Sequence, residues 1–179
     1  MVETNCDFYD HKISKKPIYS LNNGYIARLQ QKGEIPDKDI HKTLKEIDHG
    51  IDRFASFYFE YDDNSPEFIN QTKREELMRF FDTDDFSHIV IYKTLNRVDS
   101  RCLTKIQYRY LRDSLVVMHK NKIIHGDLPE NVMIDPDDQM PRIIGWKHSK
   151  KCDNYDDMMT GIEIDMNAFF THYKVGKKM

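Results

Sequence analysis

The chain has 179 residues, of which 39% are hydrophobic and 32% are charged, and its formal net charge is −3. That length can hold one domain or two small lobes with a buried core. The balanced charge gives no argument for nucleic acid as a partner, because phosphate binding needs a basic surplus on one face. Three scattered cysteines argue against a disulfide framework and indicate a reducing, cytoplasmic location. No apolar run reaches the roughly 20 residues of a membrane span, and His148 with Cys152 is too small a set for a metal site.

The N-terminal part of the sequence predicts strands and helices in alternation. Residues 18–29, IYSLNNGYIARL, predict two short strands around an Asn-Asn-Gly turn, because glycine permits the positive φ that such a turn needs. Apolar residues at steps of three and four predict an amphipathic helix from Asp37, its cap, to about Tyr61. A second helix is predicted over residues 65–81, and the β-branched run at 87–95 predicts a buried strand.

The C-terminal part is mostly helical, with one hairpin. Thr104 begins the strongest predicted helix, whose apolar stripe ends just before Lys120. The pieces NVMI and RIIGW flank the turn-forming residues 135–138 and predict a hairpin. A last helix is predicted from about Ile162 to Tyr173. The predicted fold class is therefore α+β, with a boundary near residue 95.

The segment from Ile123 to Trp146 carries the residues on which a functional prediction depends. After the strong helix come His-Gly-Asp-Leu at 125–128, Pro-Glu-Asn at 129–131, and the hairpin. This order resembles the catalytic loop of protein kinases, H-R-D-L-K-P-E-N. The His-Gly-Asp form and Trp146 are similar to the aminoglycoside and choline phosphotransferases and to very small kinases. The resemblance covers about residues 87–170 and implies a minimal kinase-like fold, with a reduced N-terminal lobe (1–95) and a truncated, helical C-terminal lobe (96–179).

The resemblance assigns roles that these residues would have in an active enzyme. Asp127 would accept or orient the hydroxyl proton of the acceptor, and Asn131 would hold magnesium against the phosphates of ATP. Arg28, on the second predicted strand, is the candidate for the nucleotide-pairing cation, with Lys32 as its alternative and Glu46 as its partner. The other interpretation of Arg28 and Glu46 is that both are ordinary solvated side chains.

Two further residues are expected to be structural. His125 would pack its ring under the loop. Asp165 lies in a segment that resembles the helix after the activation segment of kinases, where an Asp binds the backbone of the catalytic loop. We therefore predict that Asp165 is buried at the start of the last helix and accepts N–H bonds from His125, Gly126 and Asp127, because buried donors must be paired.

Three departures from the kinase pattern affect the chemistry. Asp127 and Asn131 are four residues apart, whereas the family pattern has five, so one of them is displaced by up to about 3.5 Å. Gly145 stands where the metal-binding Asp is expected, and no G-x-G-x-x-G phosphate cradle is present. These departures predict a pseudokinase without a cofactor, which acts by binding a protein partner and regulates or mimics a true kinase.

Two alternatives stay open at this point. The first is an active, atypical phosphotransferase that uses ATP, Asp127 and Asn131 with a displaced metal, and acts on a protein or a small molecule. The second is an interaction domain unrelated to kinases, in which Asp127 and Asn131 are ordinary turn residues. Neither alternative predicts a membrane or a nucleic acid as the partner.

Overall fold

The computed structural model describes residues 18–21, 25–30, 38–49, 51, 53–54, 59–62, 88–98 and 101–176. The chain divides into two compact units. Unit 1 consists of Met1–Pro36 and Phe57–Thr94, and unit 2 consists of Asp37–Ser56 and Leu95–Met179. A short segment from the N-terminal half of the chain therefore belongs to the same unit as the C-terminal half.

Unit 1 contains a four-stranded antiparallel sheet. Its strands are β1 (Ile18–Leu21), β2 (Tyr25–Gln30), β3 (Phe59–Asp62) and β4 (His88–Lys93), in the order β1-β2-β4-β3. The two strands predicted within residues 18–29 and the strand predicted at 87–95 are confirmed. The helix predicted to reach Tyr61 is wrong at that end, because the aromatic residues of β3 favour a strand. The helix predicted over 65–81 lies outside the described residues.

Helix α1 (Lys38–Asp48) belongs to unit 2 and is shorter than predicted. Ile40 and Leu44, one turn apart, are both buried in the core of that unit. The helix ends at Asp48, whose carboxylate accepts a hydrogen bond from the N–H of Phe54 at 3.3 Å. The next residue, His49, has a φ of 46°, and a left-handed residue cannot continue an α-helix. The cap predicted at Asp37 lies outside the described residues.

Helix α2 (Lys105–Lys120) confirms the strongest helix of the sequence analysis. Thr104 caps it through a capping box. The Thr104 hydroxyl accepts from the N–H of Gln107 at 3.2 Å, and the Gln107 side chain accepts from the N–H of Thr104 at 2.9 Å. Leu111, Leu115 and Met118 are fully buried, so the predicted apolar stripe is the face that packs into the core.

After α2 the chain forms short strands that hold the loops between them. They are β7 (Ile123–Ile124), β8 (Val132–Ile134), β9 (Pro141–Ile143) and β10 (Lys150–Lys151). Strands β8 and β9 pair antiparallel, which confirms the predicted hairpin, and β8 also pairs with β5 (Asn96–Arg97). Strand β10 follows a 3₁₀ turn, Trp146–His148, and pairs antiparallel with β7.

Helix α3 (Tyr155–His172) is the last helix described, and it begins earlier than predicted. The reason is the cap at Asn154, whose side-chain oxygen accepts from the N–H groups of Asp156 and Asp157. Strand β11 (Lys174–Val175) then pairs in parallel with β6 (Cys102–Leu103). None of the helices in the described ranges has the length and apolar character needed to cross a membrane.

Candidate functional site at the catalytic-loop segment

The candidate site begins where β7 leads out of the core of unit 2. Ile123 and Ile124 are both buried, and α3 passes close to them at Gly161. A Cβ atom added to Gly161 would lie 2.6 Å from Cγ1 of Ile124, so a larger residue would force this buried side chain to move. The close crossing brings the next turn of α3, which carries Asp165, under the loop that follows β7.

Asp165 is the centre of this arrangement. It is 0% exposed, and its carboxylate accepts hydrogen bonds from the N–H of His125 and the N–H of Gly126, both at 2.8 Å. These are two of the bonds predicted from the sequence. The prediction was wrong about Asp127, whose N–H donates to His125 Nδ1 instead, at 3.2 Å. It was also wrong about the start of the helix, because the cap at Asn154 puts Asp165 in the middle of α3.

A third donor to Asp165 was not predicted. His119, on the last turn of α2, places Nε2 at 3.0 Å from Asp165 Oδ2, and its side chain is only 7% exposed. The sequence contains a signal for it, since His119 follows the buried Leu115 by four residues and so lies on the buried face of the helix. The carboxylate thus ties α2, α3 and the loop together.

The environment of Asp165 sets its protonation state. Burial alone raises the pKa of the carboxyl group, but the hydrogen bonds from His119, His125 and Gly126 lower it, and the net result is a pKa below the ordinary value for Asp. Each of these bonds stabilises the charged form. Asp165 is therefore ionised at neutral pH, and its role is to accept hydrogen bonds from the loop backbone.

His125 is fully buried, and its two ring nitrogens have different partners. Nε2 lies 2.7 Å from the carbonyl of Ile144, which can only accept, and Nδ1 accepts from the N–H of Asp127. The ring is therefore the neutral tautomer with its proton on Nε2. Trp146 packs edge-on at 5.0 Å between ring centroids. Burial lowers the pKa of His125, which agrees with a neutral ring.

Asp127 and Asn131 are brought together, as their predicted roles require. Asp127 is exposed at the surface. The Asn131 side-chain amide donates to the carbonyl of Asp127 at 2.5 Å and lies 3.3 Å from its carboxylate oxygen Oδ2. The loop that joins them is tight, with the N–H of Asn131 bonded to the carbonyl of Leu128 at 3.0 Å. The NH2 group of Asn131 is thus held on Asp127.

Gly145 faces the other side of Asn131. Its φ is 76° and its ψ is 48°, the left-handed conformation that favours glycine. A Cβ atom at this position would overlap Asn131 Oδ1 and lie 2.5 Å from its Cγ. In a kinase, magnesium is held by a carboxylate here together with the catalytic-loop Asn. The residues present do not fit that ion as a kinase holds it, because Gly145 supplies no carboxylate and the Asn131 amide lies where the Cβ of a side chain at this position would be.

Other carboxylates near the hairpin are engaged elsewhere. Asp135 and Asp138 both bind Arg142, at 3.3 Å and 2.5 Å, and Arg142 is itself buried. They form an ion-pair network within the hairpin turn. Within the described ranges, no group of three or more His, Cys, Asp or Glu side chains is arranged to hold a metal ion.

The predicted cation at Arg28 belongs to unit 1. Its backbone lies on β2, opposite Ile18 on one side and Val90 on the other. Its side chain is not among those described, and Lys32 lies outside the described residues, so the nucleotide-pairing role stays a prediction. Glu46 is an exposed residue of α1 in unit 2.

Comparisons with known proteins give a likeness in structure alone. No protein-family model and no curated protein sequence matches the chain. In structure, the chain is similar to the kinase PK-1 of Cydia pomonella granulovirus, with a TM-score of 0.50 and 11% sequence identity. The match covers 76% of this chain and 48% of the viral kinase, so the chain spans about half the length of that kinase. At this identity the likeness extends to the fold only, and the chain has a kinase-like fold of mixed helices and strands.

Proposed function

We propose that this protein is a pseudokinase that acts by binding a protein partner in the cytoplasm. The observation that carries the proposal is the contact between Gly145 and Asn131. The glycine supplies no carboxylate to couple magnesium to the phosphates, and the Asn131 amide lies where the Cβ of a side chain at this position would be. Regulation or mimicry of a true kinase is one form that such binding takes.

The physical basis is that phosphoryl transfer depends on positioning and on charge stabilisation. Metal ions neutralise the charge that develops on the transferred group, and the protein contributes little covalent chemistry of its own. Losing a principal metal ligand therefore removes a large part of what the fold supplies to the reaction. The NH2 group of Asn131 is bonded to Asp127, so its amide oxygen and the Asp127 carboxylate are left without the second carboxylate with which a kinase completes the metal site.

The bonding beneath the loop supports a binding role. Asp165 and His125 hold the loop backbone through hydrogen bonds that do not involve the exposed carboxylate of Asp127. A loop fixed in this way presents a constant surface to a partner, and a preorganised surface loses less conformational entropy on binding. The part of the kinase architecture that this chain retains would then serve its stability and its shape.

Titration with ATP, with and without magnesium, tests the proposal. We expect ATP to bind weakly, and magnesium to change neither the affinity nor the melting temperature, because a ligand raises the melting temperature only in proportion to its binding to the native state. Isothermal calorimetry and thermal melting measure both quantities. Tight binding that requires magnesium would contradict the proposal.

A substitution at Asp127 gives a second test. We expect Asp127→Asn to leave partner binding unchanged, with Glu163→Gln as a control for the loss of one exposed carboxylate. A positioned general base contributes roughly 10²–10⁴-fold to a rate, so an active enzyme would lose most of its turnover from the same change. Loss of biological activity with the melting temperature preserved would count for catalysis.

The exposed carboxylate of Asp127 favours a second candidate, an atypical phosphotransferase that uses ATP. Asp127 keeps the solvent access that an acceptor hydroxyl would need, and it retains Asn131 as a neighbour. This enzyme would have to hold magnesium in another way than kinases do. Phosphate transfer to a protein or small molecule, abolished by Asp127→Asn, would establish it. The interaction domain unrelated to kinases receives no support from the kinase-like fold.

A further inference from the structure

A small pocket of unit 2 lies beside the catalytic-loop segment. Its volume is about 120 Å³. Val132 and Met133 of β8 contribute to its apolar wall. The side chains that bring a polar group to this pocket, named here the arginine pocket, are Arg97, Arg101, Glu130 and Tyr173.

Two strand pairings bring these residues together from distant parts of the sequence. Strand β6 pairs in parallel with β11, and Arg101 and Tyr173 are the residues that immediately precede these two strands. Strand β5 pairs with β8, with Arg97 directly opposite Met133. Opposite residues of an antiparallel pair lie on the same face of the sheet. The pocket is therefore formed by the strand framework of unit 2.

Tyr173 brings a buried donor without a partner to the pocket. The residue is 3% exposed, and its hydroxyl forms no hydrogen bond within the part of the chain that the structure describes. Burial raises the pKa of Tyr173 to about 12, although the positive charge of Arg101 opposes this rise. The hydroxyl therefore keeps its proton at neutral pH. Because buried polar groups are normally paired, an unpaired donor that lines a pocket indicates a ligand that supplies an acceptor.

The two arginines make the pocket positively charged. Arg97 is exposed, and among the described residues its side chain has no ion-pair partner. Arg101 donates from Nη1 to Nδ1 of His172 at 2.6 Å and from Nη2 to the carboxylate of Glu130. The side chains of Arg101 and Glu130 are 43% and 71% exposed, so their ion pair is screened and weak. An anion of higher charge can therefore replace the Glu130 carboxylate on Arg101.

These groups fit a phosphate better than a carboxylate. The guanidinium groups of Arg97 and Arg101 and the Tyr173 hydroxyl are all donors, and a phosphate monoester offers three acceptor oxygens and a charge of about −1.5 to −2. A carboxylate has one oxygen fewer and a single charge, no more than Glu130 itself. The volume fits one such group with its point of attachment, because pockets that enclose a whole small molecule have about 300–1,000 Å³.

We infer that the arginine pocket binds the phosphate group of a phosphorylated side chain on a protein partner. This inference rests on the proposed function, because it names the chemistry by which a partner-binding kinase-like protein would recognise its partner. The phosphate binds to Arg97, Arg101 and Tyr173 and displaces Glu130 from Arg101. Neither magnesium nor Asp127 takes part.

Fluorescence anisotropy with a labelled peptide tests the inference. The peptide has one phosphoserine among alanine and glycine residues, and the full-length protein is titrated into it without magnesium. We expect saturable binding that inorganic phosphate reverses. The same peptide with glutamate in place of phosphoserine should bind at least about tenfold more weakly, because it has fewer acceptor oxygens and less charge.

Three results with these probes would overturn the inference. The first is no binding of the phosphoserine peptide, and the second is equal binding of the peptide with glutamate or with unmodified serine. The third is displacement of the phosphoserine peptide by ATP at a concentration far below that needed of inorganic phosphate. That result would assign the pocket to a nucleotide instead of a partner's side chain.

Substitutions in the pocket should change the affinity in opposite directions. Arg97→Gln should weaken binding about tenfold, because charge-assisted bonds to the phosphate are lost. Tyr173→Phe should weaken it about threefold without lowering the melting temperature, because the hydroxyl that it removes has no partner within the described protein. Glu130→Gln should strengthen binding about threefold, because the carboxylate that competes for Arg101 is gone. Weaker binding by Glu130→Gln would overturn the inference.

Matched controls separate the pocket from general charge. Arg109→Gln and Glu163→Gln each remove one exposed charge outside the pocket and should leave the affinity for the phosphoserine peptide nearly unchanged. Thermal melting checks that every variant is folded, and Tyr173→Phe with Glu130→Gln gives the answer if Arg97→Gln is not. Equal weakening by Arg97→Gln and Arg109→Gln would contradict a specific site.

The two proposals fail in different experiments. Tight, magnesium-dependent binding of ATP would overturn the pseudokinase, but it would leave the affinity for the phosphoserine peptide, measured without magnesium, as it is. Absence of phosphoserine-peptide binding with ATP binding still weak would overturn this inference alone.

Discussion

Two neighbouring parts of the catalytic-loop segment differ in how they are built. The loop support, formed by His119, His125 and Asp165 around the backbone at Gly126, is buried, and its donors and acceptors are matched. The metal corner, formed by Asp127, Asn131 and Gly145, is more exposed, lacks one carboxylate, and has the Asn131 amide where the Cβ of a side chain at Gly145 would be. In the kinase pattern, both parts accompany catalysis.

The difference indicates which constraints act on each part. Removing a buried acceptor leaves several donors unpaired, so a change in the loop support costs folding free energy. Removing an exposed metal ligand costs no stability in a protein that binds no metal. A chain that needs the shape of a kinase but not its reaction is therefore expected to keep the first and lose the second.

The largest effect is expected from Asp165→Ala, which tests the loop support. The substitution leaves the N–H groups of His125 and Gly126 and the ring of His119 without their acceptor. Each buried unsatisfied donor costs about 1–3 kcal/mol, so we expect the free energy of unfolding to fall by roughly 3 kcal/mol. Urea denaturation measures it.

The exposed Glu163 on the same helix provides the control for Asp165. Glu163→Ala should change the free energy of unfolding by less than about 0.5 kcal/mol, as exposed substitutions usually do. Asp165→Asn keeps one acceptor oxygen and should give an intermediate value. An effect of Asp165→Ala no larger than that of Glu163→Ala would mean that the loop is held by other contacts.

The next largest effect is expected from Gly145→Ala, which tests whether the metal corner is filled. A left-handed conformation costs a non-glycine residue about 1–2 kcal/mol, and the added Cβ would also overlap the Asn131 amide. We expect a loss of about 2 kcal/mol in the free energy of unfolding. In a double-mutant cycle, Asn131→Ala should recover part of that loss, because it removes the overlapping atoms. A neutral Gly145→Ala would show that Asn131 yields to a side chain at this position, and the missing carboxylate alone would then support the pseudokinase.

The smallest effect concerns pH and again tests the loop support. The pKa of His125 is lowered in the folded protein because burial disfavours its charged form, while the unfolded chain takes up a proton below about pH 6.5. The contribution of the neutral His125 to the free energy of unfolding is therefore complete above that pH. It decreases by about 1.4 kcal/mol per pH unit as the pH falls toward the pKa that His125 has in the folded protein. Since the pKa of Asp165 is also lowered, its own contribution is lost only in more acidic solution, below the ordinary range of Asp.

Melting temperatures measured from about pH 7.5 to about pH 5 would show this dependence, because that interval spans the ordinary pKa of His. His125→Gln removes the titrating group, so we expect a shallower slope in that variant. Direct titration of the imidazole signals by NMR provides the same information where the variant is too unstable. A His125 that takes up its proton near the ordinary pKa would contradict the buried, neutral ring.

The elements that the sequence predicts well are those fixed by local signals. Helix α2 has its capping box at Thr104 and a clear apolar stripe, and the hairpin has turn residues between two apolar pieces. Both the helix and the hairpin are therefore determined by residues that are close together in the sequence. The sequence predicts a start for α3 that is too late, because Met158, Met159 and Gly161 obscure the apolar period of its first turns. Asn154 nevertheless carries a cap signal.

The parts that the sequence could not provide depend on contacts between distant residues. The motif predicted that Asp165 would bind the loop, but it contained nothing about His119, which reaches Asp165 only through the crossing of α2 and α3. The overlap of Gly145 with Asn131 is also a tertiary fact. The sequence identifies the missing carboxylate at Gly145. The position of the Asn131 amide beside Gly145 depends on the conformation of both loops and could not be predicted.

Gly161 has a consequence for how relatives of this chain would be recognised. A side chain at this position would force the buried Ile124 to move, and Asp165 follows one turn later. Together with the adjacent His125 and Gly126, they are the residues through which α3 meets β7 and the loop that follows it. Proteins that hold a loop by the same geometry would need the same residue types at these four positions, even where the rest of their sequences differs.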